Sequence, residues 1–183
     1  GEEVAGAPDS PLRFEGFWEA PPPDLSGELV VADRRGCDRN PLDPTSQADR
    51  LTLLSFVWPD QEARLARLRA ALAVAQHVPV AIDHADAADW ARAQLDESRP
   101  GTATVLVHSI VLQYLNPARR RDLRDAIADA GRRATVDAPV AWLRMEPATD
   151  EAADVRLTLW PGGEERLLGT AGYHGPPVRW AAS

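Results

Sequence analysis

TATVLVHSIVLQYLNPARRRDL, from Thr102 to Leu123, decides how the rest of the chain is read. Thr104-Val105-Leu106-Val107 is an aliphatic run without polar alternation, as in a parallel strand covered on both faces. His108 and Ser109 close it, at the end where open α/β sheets hold their ligands. Asn116-Pro117 then supplies an N-cap and a proline at the first helical position. The helix that follows, to about Arg133, sets Leu123, Ile127 and Ala130 on one face and arginines on the other. A buried strand feeding an amphipathic helix is the repeating unit of a doubly wound sheet.

Working outward, Leu12 to Trp18 alternates as an edge strand does, and Pro21-Pro22-Pro23 imposes an extended connection. Residues 1–11 read as a flexible lead-in to one domain over 12–183. Leu29-Val30-Val31-Ala32 is a second buried-strand candidate ending at Asp33, before a polar loop from Arg34 to Pro44. Thr45 or Ser46 caps a helix to about Phe56, with Leu51 and Leu54 as its apolar side. Pro59 starts the next helix, which Leu65, Leu68, Leu72 and Ala75 line. Val78 to Asp83 is a third strand, and Asp86 caps a short helix to Leu95. Val140 to Glu146 is a further strand. Val155 to Trp160, the Pro161-Gly162-Gly163 turn and Arg166 to about Tyr173 make a closing hairpin. The expected fold is α/β and Rossmann-like: a mostly parallel sheet flanked by helices, with an antiparallel hairpin at its C-terminal edge.

Composition narrows the function classes. The chain has 183 residues, 44% hydrophobic and 26% charged, enough for a full core. A net charge of -8 without a basic stripe argues against nucleic acid gripped through its phosphates, and for small-molecule or protein partners. All 20 basic side chains are arginine, which rules out Schiff-base or P-loop lysine chemistry within this chain. One cysteine, Cys37, allows no internal disulfide and no thiolate zinc site, and His77, His84 and His174 lack metal-ligand spacing. No run reaches the length of a membrane span and no signal peptide opens the chain, so a cytoplasmic location is expected. Because it starts without methionine, we expect it to be part of a longer protein.

Acidic or polar residues recur at strand ends: Asp33, Asp86, and His108 with Ser109. One acid after a strand can accept both hydroxyls of a ribose, and one a strand over can receive an adenine amino group. Against that stands the plain alternative that Asp33 opens a turn and Asp86 only caps a helix. His108 is a candidate general base or a buried side chain bonded to backbone. Ser109 lacks the G-x-S-x-G context of a nucleophile elbow. Trp58, Asp60 and Gln61 can set an aromatic face and an amide over a ligand, or Trp58 can plug the helix junction. Arg144 and Glu146 are an ion pair or substrate contacts. Arg34, Arg35 and Arg39 beside Cys37 are an anion clamp or a solvated loop.

Several long stretches occur in order: ADRRGCDRNPLDP, LSFVWPDQEARLARLRAAL, ADAADW, VLVHSIVLQYL, APVAWLRMEP and LTLWPGGEERLLGTAGYHGPPVRW. Together they resemble the C-terminal half of the domain-of-unknown-function family 2332, found mostly in bacteria. Its members look like Rossmann-type S-adenosylmethionine-dependent methyltransferases. The resemblance implies Asp33 at the ribose, Asp86 and Ala87 near the adenine, and His108 and Ser109 close to the transferred methyl. Full-length members carry a small-residue loop of the type G-A-S-A-G-L-N after their first strand, and nothing similar occurs here. The expected domain thus lacks a first strand, leaving two strands without a neighbour and favouring dimerisation. The competing expectation is a non-catalytic interaction or oligomerisation module. Hydrolase or thiol chemistry through Ser109 or Cys37 lacks a partnered base in the sequence.

Overall fold

A computed structural model describes residues 5–19, 24–25 and 27–181. They fall into two compact units, one containing Asp24–Ala85 and the other built mainly from Asp86 onward, with residues 16–19 joined to it. The proline run Pro21-Pro22-Pro23 lies outside the described residues.

The first unit holds β1 (Arg35–Asp38), α1 (Gln47–Ser55), α2 (Glu62–Ala75) and β2 (Ala81–His84). β1 and β2 pair in parallel, from Arg35 opposite Ala81 to Asp38 opposite His84. Gly36 suits this ladder because a Cβ there would lie 3.0 Å from Ile82 Cδ1. Ser46 caps α1, its hydroxyl accepting from the Asp49 amide.

Three expectations for this unit change. Leu29–Ala32 is not a buried strand: Leu29 is 85% exposed, Val30 is also open, and the strand lies further on at Arg35–Asp38. Apolar content makes a run eligible for a sheet, but a hydrogen-bonding neighbour in register makes the strand, and β2 supplies it to Arg35–Asp38. Pro59 does not start α2; it sits in a turn closed by the Gln61 amide on the Trp58 carbonyl (3.0 Å), and the helix begins at Glu62. Leu51 is exposed instead of lining a buried face of α1.

The second unit runs α3 (Ala87–Gln94), β3 (Thr104–Ser109), a 3₁₀ turn (Leu112–Tyr114), α4 (Pro117–Arg133), β4 (Val140–Pro147), β5 (Ala153–Trp160), β6 (Glu164–Gly172) and β7 (Gly175–Trp180). Its five strands stand in the order β3-β4-β5-β6-β7. Only β3 and β4 run parallel; every later pair is antiparallel. The expected mostly parallel sheet is therefore corrected to a mixed α/β arrangement in which this sheet is mostly antiparallel. The reason is connection length: short turns join β4 to β5, β5 to β6 and β6 to β7, and only antiparallel neighbours can be joined that way.

β7 lies beyond the expected hairpin, and as an edge strand it tolerates Pro176 and Pro177 within it. Leu12–Trp18 is not a strand but contributes one bridge, Trp18 to Val178, with Trp18 edge-on to Trp180 at 6.2 Å.

Asn116 caps α4 and Pro117 opens it, so α4 begins where local chemistry dictates. Its buried Leu123, Ile127 and Ala130 pack with Ala88, Ala91 and Leu95 around α3 and meet Leu106, Trp142 and Trp160 of the sheet. Burying Leu123 and Ile127 contributes about 1.5–3 kcal/mol each. The opposite face of β3 is open, with Val105 56% and Val107 64% exposed, so this strand is covered on one face rather than on both.

A hydrogen-bonded cluster at the carboxyl end of β3

Successive side chains of a strand alternate between faces, so Trp142, Arg144 and Glu146 of β4 share one face. Register places Leu106 opposite Trp142 and His108 opposite Arg144, on the face that packs against the helices. His108 Nδ1 lies 2.7 Å from Glu146 Oε1, and the Trp142 indole N–H donates to His108 Nε2 at 2.9 Å. An indole nitrogen can only donate, so Nε2 must accept and the proton sits on Nδ1, which donates to Glu146. One neutral tautomer is thereby fixed. Burial pushes the His108 pKa below the ordinary imidazole value; Glu146 opposes that shift and Arg144 reinforces it.

The Glu146 carboxylate also accepts the backbone N–H groups of Val111 (3.0 Å) and Leu112 (3.2 Å). These follow Ile110, the one described non-glycine residue with positive φ, at 52°. A β-branched residue there is strained, and a three-donor carboxylate is what holds it. From the other side, Arg120 of α4 donates to the carbonyls of Leu115 (2.8 Å) and Gln113 (3.2 Å).

Arg144 is a paired residue, though not with Glu146. Its guanidinium lies 4.2 Å from the Trp142 ring centre and bonds Thr158 Oγ1 (3.3 Å) and Glu165 (2.5 Å). Arg144 holds the Glu165 carboxyl below its usual range, and Arg156 adds to this while bridging Glu165 and Asp154.

Asp86 caps α3 through the Ala88 amide (2.9 Å) and pairs with Arg119 of α4, which lowers its pKa; Ala87 is the first residue of that helix. Ser109 is exposed on the other face of β3 from His108. The structure thus brings His108 and Glu146 together, with Arg144 beside them on the Trp142 ring, and places Asp86 in a separate cluster.

In the first unit Asp33 lies ahead of β1, its carboxylate accepting the Arg34 amide (2.8 Å). The acid that closes β1 is Asp38, whose Oδ1 accepts the Asn40 amide (2.7 Å). Trp58 is 73% exposed and so does not plug the helix junction. Asp60 sits in the turn before α2, and Gln61 accepts from Arg64 (3.1 Å). Arg35 pairs with Asp83 at 3.5 Å, and Cys37 lies within β1 and forms no disulfide.

Sequence reasoning missed Trp142, Arg120 and Asp38. Period-two alternation along β4 was the available signal for Trp142. Nothing local marks Arg120 among the adjacent arginines of α4.

A family model described as "Uncharacterized protein conserved in bacteria (DUF2332)" matches residues 1–180. The chain belongs to that family. No curated protein and no solved structure matches it. The DUF2332 match covers both compact units, the two-stranded sheet of the first and the five-stranded sheet of the second. No helix among the described residues of this DUF2332 chain is long and apolar enough to cross a membrane.

Proposed function

We propose that this chain belongs to an S-adenosylmethionine-dependent methyltransferase-like protein, acting on a small molecule or a protein. The observation that carries the reading is Asp38, an acid closing a parallel strand at the carboxyl end, where α/β proteins take the ribose hydroxyls of a nucleoside. In this reading Asp38 takes the position the sequence had suggested for Asp33. The fit is partial. A carboxylate suits the ribose, but among the described residues the one adjacent glycine pair, Gly162-Gly163, lies in a hairpin turn. Bound S-adenosylmethionine supplies an electrophilic methyl group; such transfer asks the protein mainly for positioning. His108, with both ring nitrogens engaged, serves to position the loop beyond β3 rather than to take a substrate proton.

Calorimetric titration with S-adenosylhomocysteine tests this, beside Asp38→Asn, which keeps an acceptor for the Asn40 amide and removes the charge. Saturable binding weakened about tenfold or more by the substitution supports the reading. Absence of binding to the chain and to any longer form of the protein sinks it.

A second reading, a non-catalytic interaction or oligomerisation module, is favoured by the apolar face of β3 and its unpaired outer edge among the described residues. Sedimentation at rising concentration separates the two: a monomer that binds S-adenosylhomocysteine supports the first, and a silent self-associating chain the second.

A further inference from the structure

The segment after β3 is held with unusual care for a surface turn. Glu146 grips the Val111 and Leu112 amides and Arg120 the Gln113 and Leu115 carbonyls, and just ahead of them Ile110 keeps a left-handed backbone without being glycine. Strain of this kind persists only where surrounding bonds over-determine it, and it collects at ligand sites. What the two clamps leave outside is Tyr114, 80% exposed, with Gln113 and Ser109 also open to solvent. A large aromatic held in water on a braced turn gains nothing for the core.

The outward chemistry of the turn is uncharged. Ser109 to Leu115 contains no ionisable group except the Tyr114 phenol. The two charged side chains gripping its backbone are both spent there, Glu146 on three donors and Arg120 on two carbonyls.

We infer that Ser109–Tyr114 is a preorganised recognition turn for an uncharged planar ring, which stacks on Tyr114 and exchanges hydrogen bonds with the Gln113 amide group. Aromatic stacking with one amide partner suits a phenolic or nitrogen-heterocyclic ring and gives no counter-charge to a carboxylate or an amine. Assigning that ring to the methyl acceptor rests on the methyltransferase reading; the ring-binding property itself does not.

The test is a backbone amide NMR titration of the full chain with phenol, indole and quinoline, beside benzoate and benzylamine as charged rings of similar size. The expected result is saturable shifts confined to Ser109–Leu115 with the neutral rings. Affinity should fall about tenfold in Tyr114→Ala and return in Tyr114→Phe. Because Tyr114 is exposed, Tyr114→Ala keeps the fold, which its unchanged melting temperature checks. Shifts scattered over the surface, charged rings binding equally well, or a Tyr114→Ala chain that binds as the parent does each overturn the inference. S-adenosylhomocysteine binding with a silent turn defeats this inference alone. Ring binding at the turn without S-adenosylhomocysteine binding supports it and defeats the methyltransferase reading.

Discussion

Trp142 donates its indole N–H to His108 Nε2 across 2.9 Å, and that single direction of donation decides the state of the histidine. A second proton on the ring would set N–H against N–H, while burial already disfavours the charge. Since the folded-state pKa lies below the unfolded one, the unfolded chain binds the proton first as pH falls. Stability is full above the unfolded value and declines as pH drops from about 6.5 towards the folded value. Urea melts between pH 7.5 and 5 should show this decline, and His108→Gln should flatten it. An equal slope in both proteins would assign the effect elsewhere.

Glu146 collects His108 and two backbone amides, so its removal strands three donors. Glu146→Ala should cost about 2–4 kcal/mol, whereas Glu146→Gln, which keeps a carbonyl acceptor, should cost about half. Amide exchange at Val111 and Leu112 should rise sharply in the alanine variant and only modestly in the glutamine one. Chemical denaturation combined with site-resolved exchange measures both.

Gly131 is buried in α4, and a Cβ there would lie 2.5 Å from the Trp160 ring. Helix propensity alone would make Gly131→Ala favourable by about 1 kcal/mol. Steric conflict with a packed indole opposes this by about 1–3 kcal/mol, so the net change should be a loss. A raised melting temperature would show that Trp160 yields easily.

Asp86 does two tasks, capping α3 and holding Arg119 of α4. Asp86→Asn keeps the cap and loses the ion pair; Asp86→Ala loses both. The alanine variant should be less stable than the asparagine one by about 1 kcal/mol, the worth of a helix cap. Thermal melts at neutral pH decide the order. The ion-pair contribution is present above the unfolded carboxyl value and fades as pH falls through the lowered folded value, so the parent and Asp86→Asn should converge in acid.

Local chemistry explains what was readable. Asn116-Pro117 and Asp86 mark helix starts because a cap acts on amides two or three residues away. Leu123, Ile127 and Ala130 were readable as a core face because helical period is a local property. The His108–Ser109 strand end was visible for the same reason, but its partners were not. Trp142 and Glu146 reach His108 from 34 and 38 residues away, through a register no neighbouring residue encodes.

By itself the sequence determined the α4 cap and core stripe, the β5–β6 hairpin, the absence of lysine chemistry and the family resemblance. Tertiary structure alone decided that Arg35–Asp38 pairs instead of Leu29–Ala32, that the larger sheet is mostly antiparallel, and that His108 is a neutral hydrogen-bond link. Caps, turns and periodicity act over a few residues and are written in adjacent letters. Pairing, register and tautomer are settled by groups that meet only once the chain has folded.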